Sequence, residues 1–299
     1  VERAHAKYPD RLTILCIVAP EDIVRGYEQA GCLVFEDAVR AVRAVAALRR
    51  IDQLLEERPA QAMQAGALAQ TLPPGPFGEA AARQVLERAG IPLAPARLVR
   101  SAGEAVAAAR ELGLPAAMKV SSPDVAHKTE AGGVRLGIAS ESDAAAAFES
   151  ILADVARRHC GARVDGVLVS PMITDGVETL IGIQRDAVFG PVVVLGMGGV
   201  LVEILDDVSM RIAPFDEREA EAMARELRGW PVLAGARGRG PFDLDALYAA
   251  LARLSRFAAD NADNIESVDI NPFVVLPAGR GAMALDALIV TSRNSCSAD

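Results

Sequence analysis

MKVSSPDVAHKTEAGGV, residues 118–134, combines the end of a predicted strand with a polar loop and a pair of glycines. A strand lysine beside such a loop is an arrangement that binds phosphates. Lys119 supplies a point charge, and the backbone N–H groups at Gly132 and Gly133 can approach an anion closely. The alternative is a plain hairpin turn with Lys119 at its edge. The sequence contains neither a P-loop nor a glycine-rich dinucleotide fingerprint.

The same stretch carries His127 beside Lys128, and His127 is one of only three histidines in the chain. A neutral imidazole near pH 7 is a capable nucleophile towards phosphorus. A phosphate bound beside Lys128 would place His127 at such a reaction. The alternative is an exposed side chain or a hydrogen-bond donor to phosphate, which is the interpretation preferred for His5 and His159.

Three oxygen-bearing side chains near the end of the chain predict a magnesium site. Asp269 and Asn271 lie two residues apart in ESVDINPFVVL, so they face the same side of a strand, and Asp286 lies in the adjacent strand AMALDALIV. Mg²⁺ prefers carboxylate and amide oxygens together with substrate phosphates. The alternative is that Asn271 caps a turn and that Asp286 forms an edge salt bridge.

GMGGVLVEILDDVSMRIAP, residues 196–214, is the third segment with candidate chemistry. Its glycines permit a close backbone approach. Arg211 could clamp a phosphate, or it could be the ion-pair partner of the nearby acidic residues Glu203, Asp206 and Asp207.

The composition describes a globular protein without a nucleic-acid surface. Hydrophobic residues make up 51% and charged residues 24% of 299 residues, enough for two domains. The net charge of -9 leaves no basic excess to neutralise nucleic-acid phosphates. Four scattered cysteines favour a reduced, cytoplasmic setting. The longest apolar run, residues 187–202, is too short and too glycine-rich to span a membrane.

The first part of the chain predicts a parallel α/β segment. DRLTILCIVAP, residues 10–20, has the pattern of a strand buried on both faces and begins a β-α-β-α piece. Its last helix carries an apolar stripe that includes Val42 and Leu48. Two strands are too few for an independent sheet, so we expect this piece to be the end of a domain whose beginning is absent.

The remainder predicts two lobes after a linker rich in proline and glycine. A β-α-β-β-α unit is followed by strands in quick succession, among them VLVEIL at 200–205, and by helices at 216–228 and 243–262. The predicted bounds are 1–58 for the parallel α/β segment, 59–77 for the linker, 78–163 for a small lobe, 164–292 for a large lobe and 293–299 for a tail.

Taken in order, these segments resemble the ATP-grasp domain of the ADP-forming (NDP-forming) acyl-CoA synthetases, relatives of succinyl-CoA synthetase, over residues 78–290. Residues 10–58 look like the end of the flavodoxin-like CoA-ligase domain that precedes it. The resemblance implies a two-lobed ATP-grasp fold. It also implies the interconversion of acyl-CoA, ADP and phosphate with a carboxylic acid, CoA and ATP through a phosphohistidine.

The resemblance also implies roles for individual residues. His127, with Lys128 beside it, would carry the phosphoryl group, and Asn271 and Asp286, with Asp269 beside them, would hold Mg²⁺. The residues expected to bind ATP or ADP are Lys119, Gly132, Gly133, Ser170, Met172, Ile173, Glu178 and Arg211. Within this set, the segment from Ser170 to Ile173 would contact adenine and Glu178 the ribose. Ser170 stands where relatives have a glutamine or glutamate, which bears on the preference for ATP over GTP.

The implied partners are the CoA-binding and CoA-ligase domains, in the same chain or as another subunit, and an oligomer is expected when these are present. Two other functions stay open at this point. One is a regulatory, nucleotide-sensing module of a fused protein acetyltransferase. The other is an ATP-grasp carboxylate–amine ligase, which would need no phosphohistidine.

Overall fold

The computed structural model describes residues 7, 11–56, 72, 75–125, 127–198, 207–236 and 240–291. The chain forms two compact units, residues 1–64 and 65–299. In the described ranges, no helix has both the length and the apolar character needed to cross a bilayer. The predicted tail, 293–299, lies outside the described residues.

The first unit is a parallel β-α-β-α segment, as predicted. Its elements are β1 (Ile14–Cys16), α1 (Glu21–Gln29), β2 (Leu33–Phe35) and α2 (Ala38–Glu56), and β1 pairs with β2 in parallel. The prediction that the first strand is buried on both faces is wrong, because β1 is half-buried or exposed in a sheet of two strands. The apolar stripe of α2 is likewise open, with Val42 68% and Leu48 50% exposed.

The end of the predicted linker belongs to the second unit. Leu72 and Phe77 are buried in the apolar core of that unit. The Leu72 N–H donates to the side-chain oxygen of Asn261 at 2.8 Å. These contacts fix the chain before α3 (Glu79–Arg88), whose Val85 and Leu86 are buried in the same core.

The second unit contains two sheets, and the smaller one defines the small lobe, residues 97–171. Its elements are β3 (Arg97–Val99), α4 (Ala102–Leu112), β4 (Ala116–Ser121), β5 (Val134–Ile138), α5 (Glu141–Arg158) and β6 (Gly166–Pro171). The strands run antiparallel in the order β3-β6-β4-β5. Both helices begin at serine N-caps, Ser101 and Ser140, whose side chains accept backbone N–H groups.

The observed lobes differ from the predicted bounds at two elements. A boundary at 163/164 assigns β6 to the large lobe, whereas β6 lies between β3 and β4 and buries Val167 and Val169 in the small-lobe core. A small lobe starting at residue 78 includes α3, whose apolar side lies in the other core. Alternating apolar residues predict a strand, but they do not specify which sheet the strand joins.

The large lobe is built on a six-stranded antiparallel sheet. Its elements are β7 (Val177–Asp186), β8 (Gly190–Met197), β9 (Val208–Ile212), α6 (Glu217–Glu226), α7 (Trp230–Leu233), α8 (Leu244–Asp260), β10 (Ile265–Val275), β11 (Ala282–Ala284) and β12 (Leu288–Thr291). The strand order is β11-β10-β7-β8-β9, and β12 also pairs with β10. The two long predicted helices are present as α6 and α8. The predicted strand at 200–205 lies outside the described residues.

Helix α8 supplies the centre of the large-lobe core. Leu247, Leu251 and Leu254 follow one another at spacings of four and three residues, so they share the face that packs against the sheet, and all three are fully buried. Phe273 of β10 is also fully buried in this core. Helix α8 therefore packs against one face of the sheet that carries the predicted metal ligands.

Replacing Leu251 with alanine should lower the free energy of unfolding by about 2–5 kcal/mol, because the substitution removes buried methyl groups and leaves a cavity. Trp230, the single tryptophan, packs against this core and reports its unfolding by fluorescence in a denaturant titration. The control is Leu136→Ala, at a leucine that is 63% exposed, which should change stability far less. Equal losses in the two variants would contradict the assigned core.

Candidate functional site

Lys119 reaches from the small lobe to the large lobe. On β4 the neighbouring Met118 and Val120 are buried in the small-lobe core, so strand alternation turns Lys119 to the opposite face. There its Nζ donates to the Leu285 carbonyl oxygen at 3.1 Å and to Asp286 Oδ2 at 3.0 Å. The predicted phosphate-binding lysine and one predicted metal ligand are thus in direct contact.

Lys128 converges on the same carboxylate. Its Nζ lies 2.5 Å from Asp286 Oδ1 and also donates to Glu79 Oε2, at the first turn of α3. The chain contains 28 arginines and three lysines, and two of those lysines meet here. A compact ammonium with three donors fits between two carboxylates where a planar guanidinium would impose its own geometry.

The charges at this cluster shift one another's ionisation. Burial would raise the pKa of Asp286, but the ammoniums of Lys119 and Lys128 outweigh burial and lower that pKa. Burial would lower the pKa of Lys128, but Glu79 and Asp286 outweigh burial and raise it. These directions keep Asp286 negative and Lys128 positive near pH 7, so ionic contacts hold the cluster together.

Glu79 is the member of this cluster that the sequence patterns missed. It is 3% exposed, and burial together with the negative charge of Asp286 raises the pKa of its carboxyl group, against the opposing effect of Lys128. Arg83, one turn further along α3, has its Nη1 4.0 Å from Glu79 Oε1. An acidic residue at the start of a helix is common, and the depth of burial is the property that distinguishes Glu79.

The predicted metal ligands lie at an interruption of strand pairing. Asp286 was predicted inside a single strand, but the strand is split into β11 and β12, and Asp286 lies between them. Phe273 opposes Ala284 and Asp269 opposes Leu288. By the same register Asp286 lies across from Asn271. Asp286 is not part of the strand pairing, and each of its carboxylate oxygens contacts one of the two lysines. Its Oδ1 also accepts the Ala287 N–H at 2.8 Å.

The three side chains fit Mg²⁺ by donor chemistry. Asp269 and Asn271 are exposed on β10, and the pKa of Asp269 is raised by restricted hydration and by the nearby charge of Asp286. The described residues contain no group of three His, Cys, Asp or Glu side chains arranged to hold a metal. Two carboxylates and an amide oxygen are nevertheless a sufficient protein contribution for an ion that takes its other ligands from phosphates and water.

The turn that carries His127 is held by its own backbone. The N–H groups of Ala131, Gly132 and Gly133 donate to the carbonyl oxygens of His127, Thr129 and Lys128 at 3.1, 3.0 and 2.7 Å respectively. The prediction had these glycine N–H groups approach a phosphate; in this structure both are engaged within the turn. Gly132 has φ +70°, and a Cβ on it would lie 2.9 Å from Asp154 Cβ. The glycines therefore serve turn geometry and packing.

The imidazole of His127 is exposed at the start of this turn. Its neighbour Lys128 points into the cluster. His127 therefore directly precedes, along the chain, the lysine that joins the cluster, and its own side chain is open to solvent.

The segment predicted to contact adenine follows β6. Ser170 lies opposite Ala117 of β4, and Ser170, Met172 and Ile173 are all half-buried. The Met172 N–H donates to the Pro115 carbonyl oxygen at 3.0 Å, and Met172 Sδ accepts the Gly137 N–H at 3.1 Å. The segment is therefore tied to the small lobe.

Glu178, the predicted ribose contact, is exposed on β7 of the large lobe. Its carbonyl oxygen accepts the Gly198 N–H at 2.8 Å, and a Cβ on Gly198 would lie 2.6 Å from the Glu178 carbonyl carbon. The close approach that this glycine permits is to the backbone of Glu178.

Arg211 does not join the cluster in this structure. Its Nε lies 2.5 Å from Glu219 Oε1 and its Nη2 lies 2.7 Å from Glu226 Oε1, both on α6. The predicted alternative of an ion pair is present, but with different partners, because Asp207 instead accepts the backbone N–H groups of Arg228 and Gly229. Glu203 and Asp206 lie outside the described residues.

Comparison with known proteins matches residues 75–291 to the model of the ATP-grasp domain family. This chain belongs to the ATP-grasp family. Acetate–CoA ligase [ADP-forming] I of Archaeoglobus fulgidus is 38% identical over 282 residues, which is 89% of this chain and 40% of that protein. The β subunit of acetate–CoA ligase [ADP-forming] II of Pyrococcus furiosus is 39% identical over 209 residues, which is 70% of this chain and 89% of the subunit.

Solved structures support the same ATP-grasp assignment. The dinucleotide-forming acetyl-coenzyme A synthetase 1 of Ca. Korarchaeum cryptofilum, in complex with coenzyme A, Ca-AMPCP and HgCl+, superposes with a TM-score of 0.67 at 39% identity. The superposition covers 72% of this chain and 93% of that one. The predicted two-lobed ATP-grasp fold is confirmed. This chain therefore spans less than half the length of the Archaeoglobus relative and most of the Pyrococcus subunit.

NMR of lysine-labelled protein can test the cluster, because the ATP-grasp chain has only three lysines to assign. Lys128 should keep its proton to a higher pH than free lysine, whose pKa is about 10.4. Replacing Asp286 with asparagine should lower the pKa of Lys128, since one favourable charge is lost while burial remains. Asp175→Asn, at an exposed carboxylate paired with Arg280, should leave it unchanged. A Lys128 that titrates below free lysine in the wild type would contradict the ion pairs.

Proposed function

We propose that this chain is the nucleotide-binding part of an ADP-forming acyl-CoA synthetase, which interconverts acyl-CoA, ADP and phosphate with a carboxylic acid, CoA and ATP. The observation that carries the proposal is the convergence of Lys119 and Lys128 on Asp286, with His127 exposed in the adjacent position. Two ammoniums from the small lobe thereby meet a carboxylate of the large lobe, and we infer that the nucleotide phosphates bind at this junction.

The nucleotide would take over contacts that the protein now makes with itself. Lys119 would donate to the ATP phosphates, and Glu178 and the segment from Ser170 to Ile173 would contact ribose and adenine. Asp286, Asn271 and Asp269 would hold Mg²⁺, which neutralises phosphate charge when bound. Ion pairing with Lys119 and Lys128 keeps Asp286 charged and oriented until then.

His127 would carry the phosphoryl group between the nucleotide and the acyl site. An imidazole nitrogen of His127 attacks the γ-phosphorus, the bond from that phosphorus to the bridging oxygen breaks, and ADP leaves. A structure of the Korarchaeum synthetase, 36% identical with a TM-score of 0.61, holds Mg-AMPPCP with a phosphohistidine segment that points towards the nucleotide-binding site. We infer that the turn at 127–133 is the corresponding segment here.

Full turnover would need further domains. CoA-binding and CoA-ligase domains would act in the same chain, as the length of the Archaeoglobus relative suggests, or as another subunit, as the β-subunit name of the Pyrococcus relative suggests. An oligomer and a cytoplasmic setting are part of this proposal. Alone, the chain should bind nucleotide and become phosphorylated without making acyl-CoA.

Phosphate labelling tests the role of His127. The chain is incubated with γ-labelled ATP and Mg²⁺ and examined for label that is labile in acid and stable in base. His127→Asn should abolish this label, while His159→Asn, at another exposed histidine of the small lobe, should retain it. Label that persists in His127→Asn would exclude His127 as the carrier. Absence of label from the wild type, with ATP binding intact, would favour the regulatory sensing module or the carboxylate–amine ligase.

Calorimetric titration with Mg·ATP tests the role of Lys119. Lys119→Ala should weaken binding by about 1.5–3 kcal/mol, the range for a hydrogen bond to a charged group, or roughly ten- to a hundredfold in Kd. Lys7→Ala, at the one lysine outside the cluster, should bind as the wild type does. Unchanged affinity in Lys119→Ala would remove this lysine from the nucleotide site.

A further inference from the structure

Glu79 is a buried carboxylate for which the proposed reaction has no direct use. It lies at the first position of α3 and is 3% exposed. One oxygen accepts from Lys128 Nζ, and the other lies 4.0 Å from Arg83 Nη1. Burying an unpaired charge costs free energy, so a buried carboxylate is expected to have an ion-pair or hydrogen-bond partner. The partner of Glu79 is therefore the place to look for its role.

The backbone around Glu79 has little freedom to move. The Ala80 N–H donates to Ser121 Oγ at 3.1 Å, which ties the start of α3 to the end of β4. A Cβ on Gly78 would lie 2.5 Å from Asp165 Oδ2, so the chain before Glu79 is closely packed as well. From the other side, Val85 and Leu86 hold α3 in the large-lobe core. Glu79 is therefore a fixed point between the lobes.

Lys128 connects Glu79 to the turn that carries His127. The Lys128 carbonyl oxygen accepts the Gly133 N–H at 2.7 Å, and a Cβ on Gly133 would collide with Val120. The turn is thus one compact unit, so holding the Lys128 ammonium also limits where the adjacent His127 can go. Lys128 is 11% exposed, and within the described residues its carboxylate partners are Glu79 and Asp286.

The two carboxylates differ in their other duties. Asp286 also contacts Lys119 and belongs to the set proposed for Mg²⁺, so its contact with Lys128 competes with ligand. Glu79 is shielded by its burial and has no such second role. Of the two anchors, Glu79 is the one whose contact with Lys128 does not compete with ligand.

We propose that Glu79 is a positioning residue, whose buried carboxylate holds the Lys128 ammonium and thereby sets the location of the His127 turn beside the nucleotide. This inference rests on the proposed phosphoryl transfer to His127. Glu79 itself touches neither nucleotide nor phosphoryl group in this scheme; it acts through Lys128.

The test separates binding from transfer in the full 299-residue chain. Glu79→Gln keeps the shape of the side chain and removes its charge. It should leave the Kd for Mg·ATP within about twofold of the wild type, while the rate of His127 labelling at saturating ATP falls about ten- to a hundredfold, the loss typical of a misplaced reacting group. Glu79→Asp should recover part of that rate. Glu87→Gln, at an exposed glutamate of the same helix, should match the wild type.

Two further measurements keep the result decisive. The ¹³Cε order parameter of Lys128 should fall in Glu79→Gln, and this readout does not depend on whether His127 is labelled. In the double variant Glu79→Gln/Lys128→Gln, the labelling rate should match that of Lys128→Gln alone, because two changes in one contact are not additive.

Three outcomes would overturn the positioning role. They are an unchanged Lys128 order parameter in Glu79→Gln, a wild-type labelling rate at saturation, or a loss confined to nucleotide affinity. If the wild type is unlabelled while the Lys128 order parameter still falls in Glu79→Gln, the phosphohistidine proposal and the positioning role both fail. The contact between Glu79 and Lys128 would still be supported. If Glu79→Gln does not fold, Glu79→Asp and the order parameter supply the same comparison.

Discussion

One carboxylate shared by two ammoniums organises the centre of this molecule. Asp286 comes from the gap between β11 and β12, Lys119 from β4 and Lys128 from the turn after it, so the contact joins both lobes. Each partner is poorly hydrated, which makes the charges depend on one another. The interruption of the strand ladder at Asp286, the inward side chain of Lys128 and the burial of Glu79 all follow from the need to pair these groups.

A ligand that binds at an ion-paired site of this kind exchanges its own contacts for ion pairs within the protein. A phosphate or a cation that enters must replace a contact that already exists, so the net affinity is a difference between two sets of charge interactions. Such a site gains selectivity, because only a ligand that satisfies both the lysines and the carboxylates compensates for the pairs it breaks. If an anion bound the lysines without a cation, the negative charge of Asp286 would lose part of its ion pairing.

The sequence predicted most of the architecture and part of the site. Strand alternation identified β4 and β10 and with them the orientation of Lys119 and Asp269, because a period of two residues is a local property. Glu79 was missed because its partner Lys128 is 49 residues away. The hydrogen bonds of the Gly132 and Gly133 N–H groups within the turn were missed because a glycine pair favours a sharp turn whether or not an anion binds there. The sheet to which β6 belongs depends on contacts with β3 and β4, which the sequence of β6 does not specify.

The position of β6 has a mechanical consequence. With β6 included, the small lobe is one continuous insertion that leaves the large sheet and returns to it. It departs where Leu93 bridges Ala284 of β11 and returns where Val177 of β7 pairs with Val275 of β10. Both attachments thus flank or touch β10, the strand that carries Asp269 and Asn271. A rigid rotation of the lobe would pivot there, and the contacts of α3 with Ser121 and Lys128 would limit how far Lys119 and His127 could move relative to the oxygen ligands on β10.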